Sequence, residues 1–361
     1  MTHTTYTREC CNPILLFLLL ICNFLRIRKL QFLVQPAISV RKWHEFKRFV
    51  KVGRNDSYFE RKRDKYMLKD PRHLTCFQYW PVEQLTNILT SAINLKKSLQ
   101  DTHCKTLDTL SNCKISMLLE INEPVLVMAV AKGASLLGGR HDVIKEKIDW
   151  DADYMGKVFS YMTDAMFVST ATHGCFARFA DQATVPVLCM KSRTHSSIQA
   201  LSTVMTMQEE FGSLEGLNIA YCGPADPVLN SYLLLSPMLK ANIKYKCCCK
   251  KEPVSPLLFK TSNKMCEKHE TIMKECCQKE ELLRDAQVVI AGPTSKREEH
   301  VDAFKIDLKD IKSSKWVFFH TCPKGKEVNN DLFYHESSRT FNAFQNMQYI
   351  VAALLLCRDS F

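Results

Sequence analysis

The sequence predicts an α/β protein made of two doubly wound parallel-sheet domains, and three observations carry that prediction. From about residue 75 onward, short apolar runs of strand length alternate with amphipathic stretches of helix length, as in strands joined by crossover helices. A charged, Gly-containing break at residues 209–216 (EEFGSLEG) cuts this alternation into two halves. Composition supplies the third: the 361 residues are 46% hydrophobic and 24% charged with 11 Gly and 13 Pro, a globular balance that excludes fibrous and disordered classes. Three blocks follow: a basic leader over 1–70, a first domain over 71–212, and a second over 213–343.

The leader comes first. The chain's net charge of +11 is concentrated there, since residues 1–70 hold 15 Lys and Arg against 6 acids. The remaining body is nearly neutral and lacks the clustered cations of a nucleic-acid surface, so no nucleic-acid partner is expected. Pro13 to Leu25 is a nearly continuous apolar run of 13 residues, shorter than the roughly 18 to 20 that span a bilayer. Arg26, Arg28 and Lys29 follow it. Ten Lys and Arg stand against only Glu9 and Glu45 over residues 1–54, which favours a transit peptide and the mitochondrial matrix. An uncleaved signal anchor is the alternative, with membrane contact through residues 13–25 alone.

In the first half, Leu85, Ile88, Leu89, Ala92 and Ile93 recur at helical spacing after Pro81, predicting a helix over Glu83 to Leu99. Strands are predicted at Ile115–Leu119, Ala165–Ser169 and Val185–Met190, with helices at Asp151–Met162 and Ser196–Phe211. The second half repeats the pattern. Its strands are Leu217–Cys222, Ile243–Cys247, Val288–Ala291 and Trp316–His320, and its helices Asp226–Lys240, Asn263–Cys276 and Asn346–Cys357. In such a fold a ligand belongs in the crevice outside the carboxyl ends of the strands, so the loops there are where chemistry should stand.

Those loops are sparse. Glu120 to Val127 offers neither a Gly-rich cradle nor a cation, and Gly223-Pro-Ala-Asp-Pro-Val228 reads as a strand-to-helix turn with Asp226 as N-cap. The 17 Cys do not form a disulfide framework, because Cys22, Cys189, Cys222 and Cys357 sit in apolar runs as small hydrophobes. Cys247, Cys248, Cys249, Cys266, His269, Cys276 and Cys277 lack the Gly or Pro knuckles of a zinc site, and no metal or other cofactor is expected.

Several segments together resemble the aspartate/ornithine carbamoyltransferase family, in its ornithine branch. They are Met117–Glu120, Ala134–Gly139, Met162–Ala165, Gln199–Leu201, Met205–Glu209, Ser213–Gly223 and Trp316–Pro323, closing with Glu327-Val, Phe333-Tyr334 and Asn346. The resemblance spans roughly residues 75 to 357. It implies two carbamoyltransferase-type domains, a C-terminal helix over 344–361 returning to the first, trimers with active sites at subunit interfaces, and carbamoyl transfer from carbamoyl phosphate to ornithine.

The same resemblance places the family's site residues on altered positions. Its phosphate loop, Ser-Thr-Arg-Thr-Arg, falls on Glu123, Pro124, Val125, Leu126 and Val127, which replaces guanidinium donors with a carboxylate and apolar groups. Two further arginines fall on Ser169 and Met347. The His-Pro-x-Gln motif reads Ser196-Ser197-Ile198-Gln199, with His195 one place out of register. In the amino-acid half, the Asp and Ser-Met-Gly loop reads Gly292 to Lys296, an asparagine falls on Pro227, and His-Cys-Leu-Pro reads His320-Thr321-Cys322-Pro323.

Losing three or more phosphate-binding arginines should remove catalysis by many orders of magnitude, since each such donor contributes several kcal/mol. The expectation is therefore a catalytically inactive or strongly impaired paralogue with a structural or regulatory role, in a homotrimer or a hetero-oligomer with a related carbamoyltransferase. A second reading keeps the cleft as an amino-acid site, with Gln199, His195, His320 and Thr321 orienting the ligand and Cys322 as a further residual candidate. A third retains the enzyme and requires substitute cations among Arg140, Arg178, Arg193 and Lys191.

Overall fold

The computed structural model describes residues 73–101, 106–145, 148–150, 152–247, 253–294 and 301–357. The leader, its apolar run, Cys248, Cys249, Ser295 and Lys296 lie outside the described residues.

The first sheet contains β1 (Lys114–Leu119), β2 (Arg140–Ile144), β3 (Ala165–Thr170) and β4 (Val187–Ser192), ordered β2-β1-β3-β4 with every pair parallel. Its helices are α1 (Val82–Asp101), α2 (Pro124–Leu136), α3 (Met155–Ser160), α4 (His173–Gln182) and α5 (Ser197–Phe211). The second sheet, also wholly parallel, contains β5 (Asn218–Cys222), β6 (Asn242–Lys246), β7 (Met273–Glu275), β8 (Val288–Ala291) and β9 (Val317–His320), ordered β7-β6-β5-β8-β9. With it go α6 (Pro227–Met238), α7 (Pro256–His269), α8 (Lys279–Leu283), α9 (Val301–Phe304), α10 (Asn330–Phe333) and α11 (Thr340–Leu356). The chain thus forms two parallel-sheet α/β domains, and each strand order reverses beside its central strand, which opens a crevice at the carboxyl ends.

The central strands form because their runs bury on both faces: all six residues of β3 are buried, and five of six in β1. Proline sets several helix starts. Pro124, Pro227 and Pro256 each occupy the first turn of their helices, where the missing N–H costs nothing. The Asp226 carboxylate accepts from Leu229 N at 2.8 Å, the N-cap that the sequence predicts.

Four expectations need correction. The edge strands β2 and β7 are absent from the sequence reading because RHDVI and MKE are polar and largely exposed. Helix α7 lies over Pro256–His269 rather than Asn263–Cys276; Glu270 at φ 55° ends it, and residues 273–275 join the sheet instead. The helix expected over Asp151–Met162 is confined to Met155–Ser160. Lastly, Pro124 to Val127 form the first turn of α2 and not a loop, which leaves Glu120–Glu123 as the whole connection.

The last helix returns to the first domain and packs on α1, α2 and α5. Gly133 permits the approach, since a Cβ there would stand 2.5 Å from Val351 Cγ1 and 2.8 Å from the Gln348 carbonyl. The interface is keyed by Asn346, which is fully buried. Its amide nitrogen donates to Thr206 Oγ1 at 2.9 Å and Glu209 Oε2 at 2.7 Å, while its oxygen accepts from Lys96 Nζ at 2.9 Å. Removing a buried group with three such bonds strands its partners, so Asn346→Ala should lower stability by about 1–3 kcal/mol in urea unfolding. Exposed Gln345→Ala one position away should stay within about 0.5 kcal/mol, and equal effects would contradict the assignment.

Candidate functional site

The crevice of the first domain is built from the strand ends. Register places Leu119, Ser169 and Lys191 side by side, with a bulge at Val168/Ser169 advancing Lys191 by one position. Above them α2 begins. Lys191 Nζ reaches the Glu123 carboxylate there at 2.6 Å, with both side chains only partly exposed. Lys191 also draws on Asp226 of the second domain; burial raises that carboxyl, with bonds from Leu229 and Tyr221 and the Lys191 charge opposing the rise. Glu120 adds a third carboxylate, held by Thr170 Oγ1 at 2.7 Å and Ala171 N at 2.9 Å.

The sequence candidates around this point are buried and neutral. Ser169 and Ser196 are fully buried, and their hydroxyl oxygens have no hydrogen-bond partner among the described residues. His195 is buried with its ring edge-on to His173 at 5.1 Å, and burial, assisted by His173, pushes its pKa down to about 3. It is therefore uncharged at neutral pH.

A second group lies where α5, β9 and α11 meet. Gln199 Nε2 donates to the Thr321 carbonyl at 2.7 Å. These two, with His320, Met347, Tyr232 and Phe319, line a cavity of about 10 Å³, about the space one water needs. Three of the four side chains expected to converge thus do so, and His195 is not among the cavity's lining residues. Pro227 contributes its carbonyl, which accepts from Ser196 N at 3.2 Å. Gly292 is required by packing, because a Cβ there would collide with the Tyr221 hydroxyl and a Cβ at Gly223 would stand 2.6 Å from Gly292 Cα.

His320 belongs to a closed network that the sequence reading missed. Its Nδ1 accepts from Cys322 N at 2.9 Å, which leaves the proton on Nε2 to donate to Glu327 Oε1 at 2.8 Å. Both side chains are fully buried. Glu327 also accepts from Thr294 Oγ1 and from Gly325 N at 2.7 Å. Burial alone would raise this carboxyl, but the bonds from His320, Thr294 and Gly325 outweigh it and hold the pKa at about 2. Burial and the Glu327 charge push the Cys322 thiol up to about 11, so it stays protonated and weakly nucleophilic at neutral pH. The only sequence signal for Glu327 was its place in the Glu-Val pair seven residues after His320.

Of the substitute cations, Arg140 starts β2, at the end of the sheet opposite the crevice. Arg178 lies within α4 beside Cys175 at 3.3 Å, and Arg193 is exposed. Arg193 directly follows β4 at the carboxyl ends of the strands, and Lys191, whose ion pair is shown at the crevice, is taken up by Glu123. Among the described residues no group of three His, Cys, Asp or Glu could hold a metal, Cys189, Cys222, Cys266, Cys276, Cys277, Cys322 and Cys357 are free thiols, and no helix is long and apolar enough to cross a membrane.

Comparison with known proteins places these features. The model of the aspartate/ornithine carbamoyltransferase Asp/Orn-binding domain matches residues 215–357. The mitochondrial ornithine transcarbamylase of Gallus gallus is 24% identical over 302 residues, covering 79% of this chain and 85% of its own. The chloroplastic ornithine carbamoyltransferase of Pisum sativum is 25% identical over 310 residues, covering 80% of each. Among solved structures, the ornithine carbamoyltransferase of Pyrococcus furiosus has a TM-score of 0.73 at 20% identity, covering 80% of this chain and 97% of its own. The mitochondrial enzyme of Coccidioides immitis has 0.73 at 21%, with the same coverage.

The Glu327 network makes an acid-sensitivity prediction. Its folded pKa of about 2 lies below the ordinary 4.5, so its stabilisation is present above pH 4.5 and is lost as pH falls toward 2. Thermal melts across that window should fall steeply for the parent chain and more gently for Glu327→Gln. Parallel acid limbs would refute the network's role.

Proposed function

This chain is a divergent member of the aspartate/ornithine carbamoyltransferase family, and we propose that it is a non-catalytic or strongly impaired paralogue acting as a structural or regulatory subunit. The observation that carries this reading is the Glu123–Lys191 ion pair at the start of α2. A helix N-terminus normally attracts an anion through its free N–H groups. Here Pro124 removes one donor, a carboxylate already occupies the turn, and the nearby cation is neutralised by it. A phosphate dianion approaching this point meets Glu123, with Glu120 and Asp226 close by in the same crevice.

The remaining groups agree. Gln199, whose family role is contact with the carbamoyl oxygen, spends its amide donor on the Thr321 carbonyl, and Met347 fills the place of an arginine. The alternative of a retained amino-acid site is disfavoured because its candidate groups are already engaged within the chain, Gln199 Nε2 with the Thr321 carbonyl and His320 Nε2 with Glu327. The family resemblance supports assembly as a homotrimer, or as a hetero-oligomer with a related carbamoyltransferase. A mitochondrial address is supported by the leader's composition and by the similarity to the mitochondrial ornithine transcarbamylase of Gallus gallus.

Citrulline formation from carbamoyl phosphate and ornithine by the purified chain should fall at least about 10⁴-fold below an ordinary family enzyme, given several kcal/mol per lost donor. Turnover comparable to that enzyme would overturn the reading. Light scattering of the same preparation should give the mass of three chains, and a monomer would remove the homotrimer.

A further inference from the structure

We infer that the cleft is held shut by the chain's own contacts, standing where a two-domain enzyme would use its ligands, so that closure is constitutive. The inference deepens the non-catalytic reading and rests on it for the identity of the cleft.

Three polar links cross from the 194–199 segment to the second domain. The Thr194 carbonyl accepts from Asn230 Nδ2 at 3.0 Å. Ser196 N donates to both the Pro227 carbonyl at 3.2 Å and Ser231 Oγ at 3.0 Å. Gln199 Nε2 donates to the Thr321 carbonyl at 2.7 Å. The first two join the amino-terminal end of α5 to the first turns of α6. The third differs: it joins the side chain of α5 to the far lip of the cleft, at the carboxyl end of β9.

Around that third link buried polar and apolar side chains pack closely. Met347 at 2% exposure, Phe319 at 2% and Tyr232 at 1% close over the cavity, and the space left admits about one water. Opening would expose these side chains and would strip the buried Thr321 carbonyl of its side-chain donor, both of which cost free energy. The far lip is anchored in turn. His320 N donates to Thr340 Oγ1 at 3.0 Å and Arg339 N to the Phe318 carbonyl at 2.8 Å, tying β9 to the first turn of α11, which packs on the first domain.

Electrostatics act in the same direction. Lys191 stands with Glu123 of its own domain and is attracted by Asp226 across the cleft, so the charges facing one another here are complementary without a ligand. A ligand moves a conformational equilibrium only by its differential affinity for the two states. A closed state already satisfied by internal donors leaves carbamoyl phosphate or ornithine little to shift.

The test uses the full chain and does not depend on turnover. Small-angle scattering and hydrogen-exchange mass spectrometry are recorded with and without millimolar carbamoyl phosphate plus ornithine. The expected result is an unchanged radius of gyration and unchanged exchange in peptides covering 194–199 and 318–323. Ligand-induced compaction or new protection there would overturn the latch, whether or not citrulline forms. Gln199→Ala should raise exchange in 318–323 by about fivefold to tenfold, the loss of one net hydrogen bond, while Gln345→Ala should not. Unchanged exchange in folded Gln199→Ala would also overturn it. Should that variant fail to fold, the scattering comparison on the parent chain decides alone. Compaction or new protection without citrulline formation would defeat the latch and leave the non-catalytic reading standing, whereas citrulline turnover would defeat both.

Discussion

The packing of the last helix into the groove between α1, α2 and α5 is the constraint on which the architecture depends. It brings residues 340–356 back to the first domain after the chain has completed the second sheet, so the two halves are joined at both ends of the second. Gly133 sets how closely the helices approach, and the Asn346 network with Lys96, Thr206 and Glu209 sets the register. That register in turn positions Met347 over the cleft and Thr340 beneath the end of β9. A one-residue slip would move Asn346 away from Lys96, Thr206 and Glu209.

On this scaffold the crevice brings several carboxylates to the strand ends. Strand ends and helix starts still converge as in the carbamoyltransferase fold, but the charges they present include Glu120, Glu123 and Asp226, with Lys191 paired to Glu123. A fold positions groups; it does not dictate which groups they are. The same turn that would cradle a dianion presents a proline and a carboxylate, and a lysine is spent neutralising the latter. The polar residues that persist serve the interior: His320 and Glu327 form a sealed hydrogen-bonded unit, and Gln199 caps a backbone carbonyl.

What was legible in the sequence follows from how local each signal is. Buried central strands such as Ala165–Thr170 stand out because both faces are apolar, and the Asp226 cap because proline and aspartate mark it within two residues. Edge strands β2 and β7 did not stand out, since an exposed strand needs no apolar pattern. The family's altered motifs could be read one by one, yet their replacement contacts could not. Glu123 and Lys191 are 68 residues apart and meet only through a bulge that shifts β4 by one position. The Gln199 partner is a backbone carbonyl 122 residues away, which no side-chain pattern announces.

The loss of the anion site is the claim from which the rest follows, and a phosphorus NMR titration of the full chain with carbamoyl phosphate tests it most directly. The account predicts no saturable broadening or shift up to millimolar ligand, for the parent chain and for Glu123→Gln alike, since the missing arginines and the closed cleft remain. Saturable binding at micromolar ligand by the parent chain would contradict it.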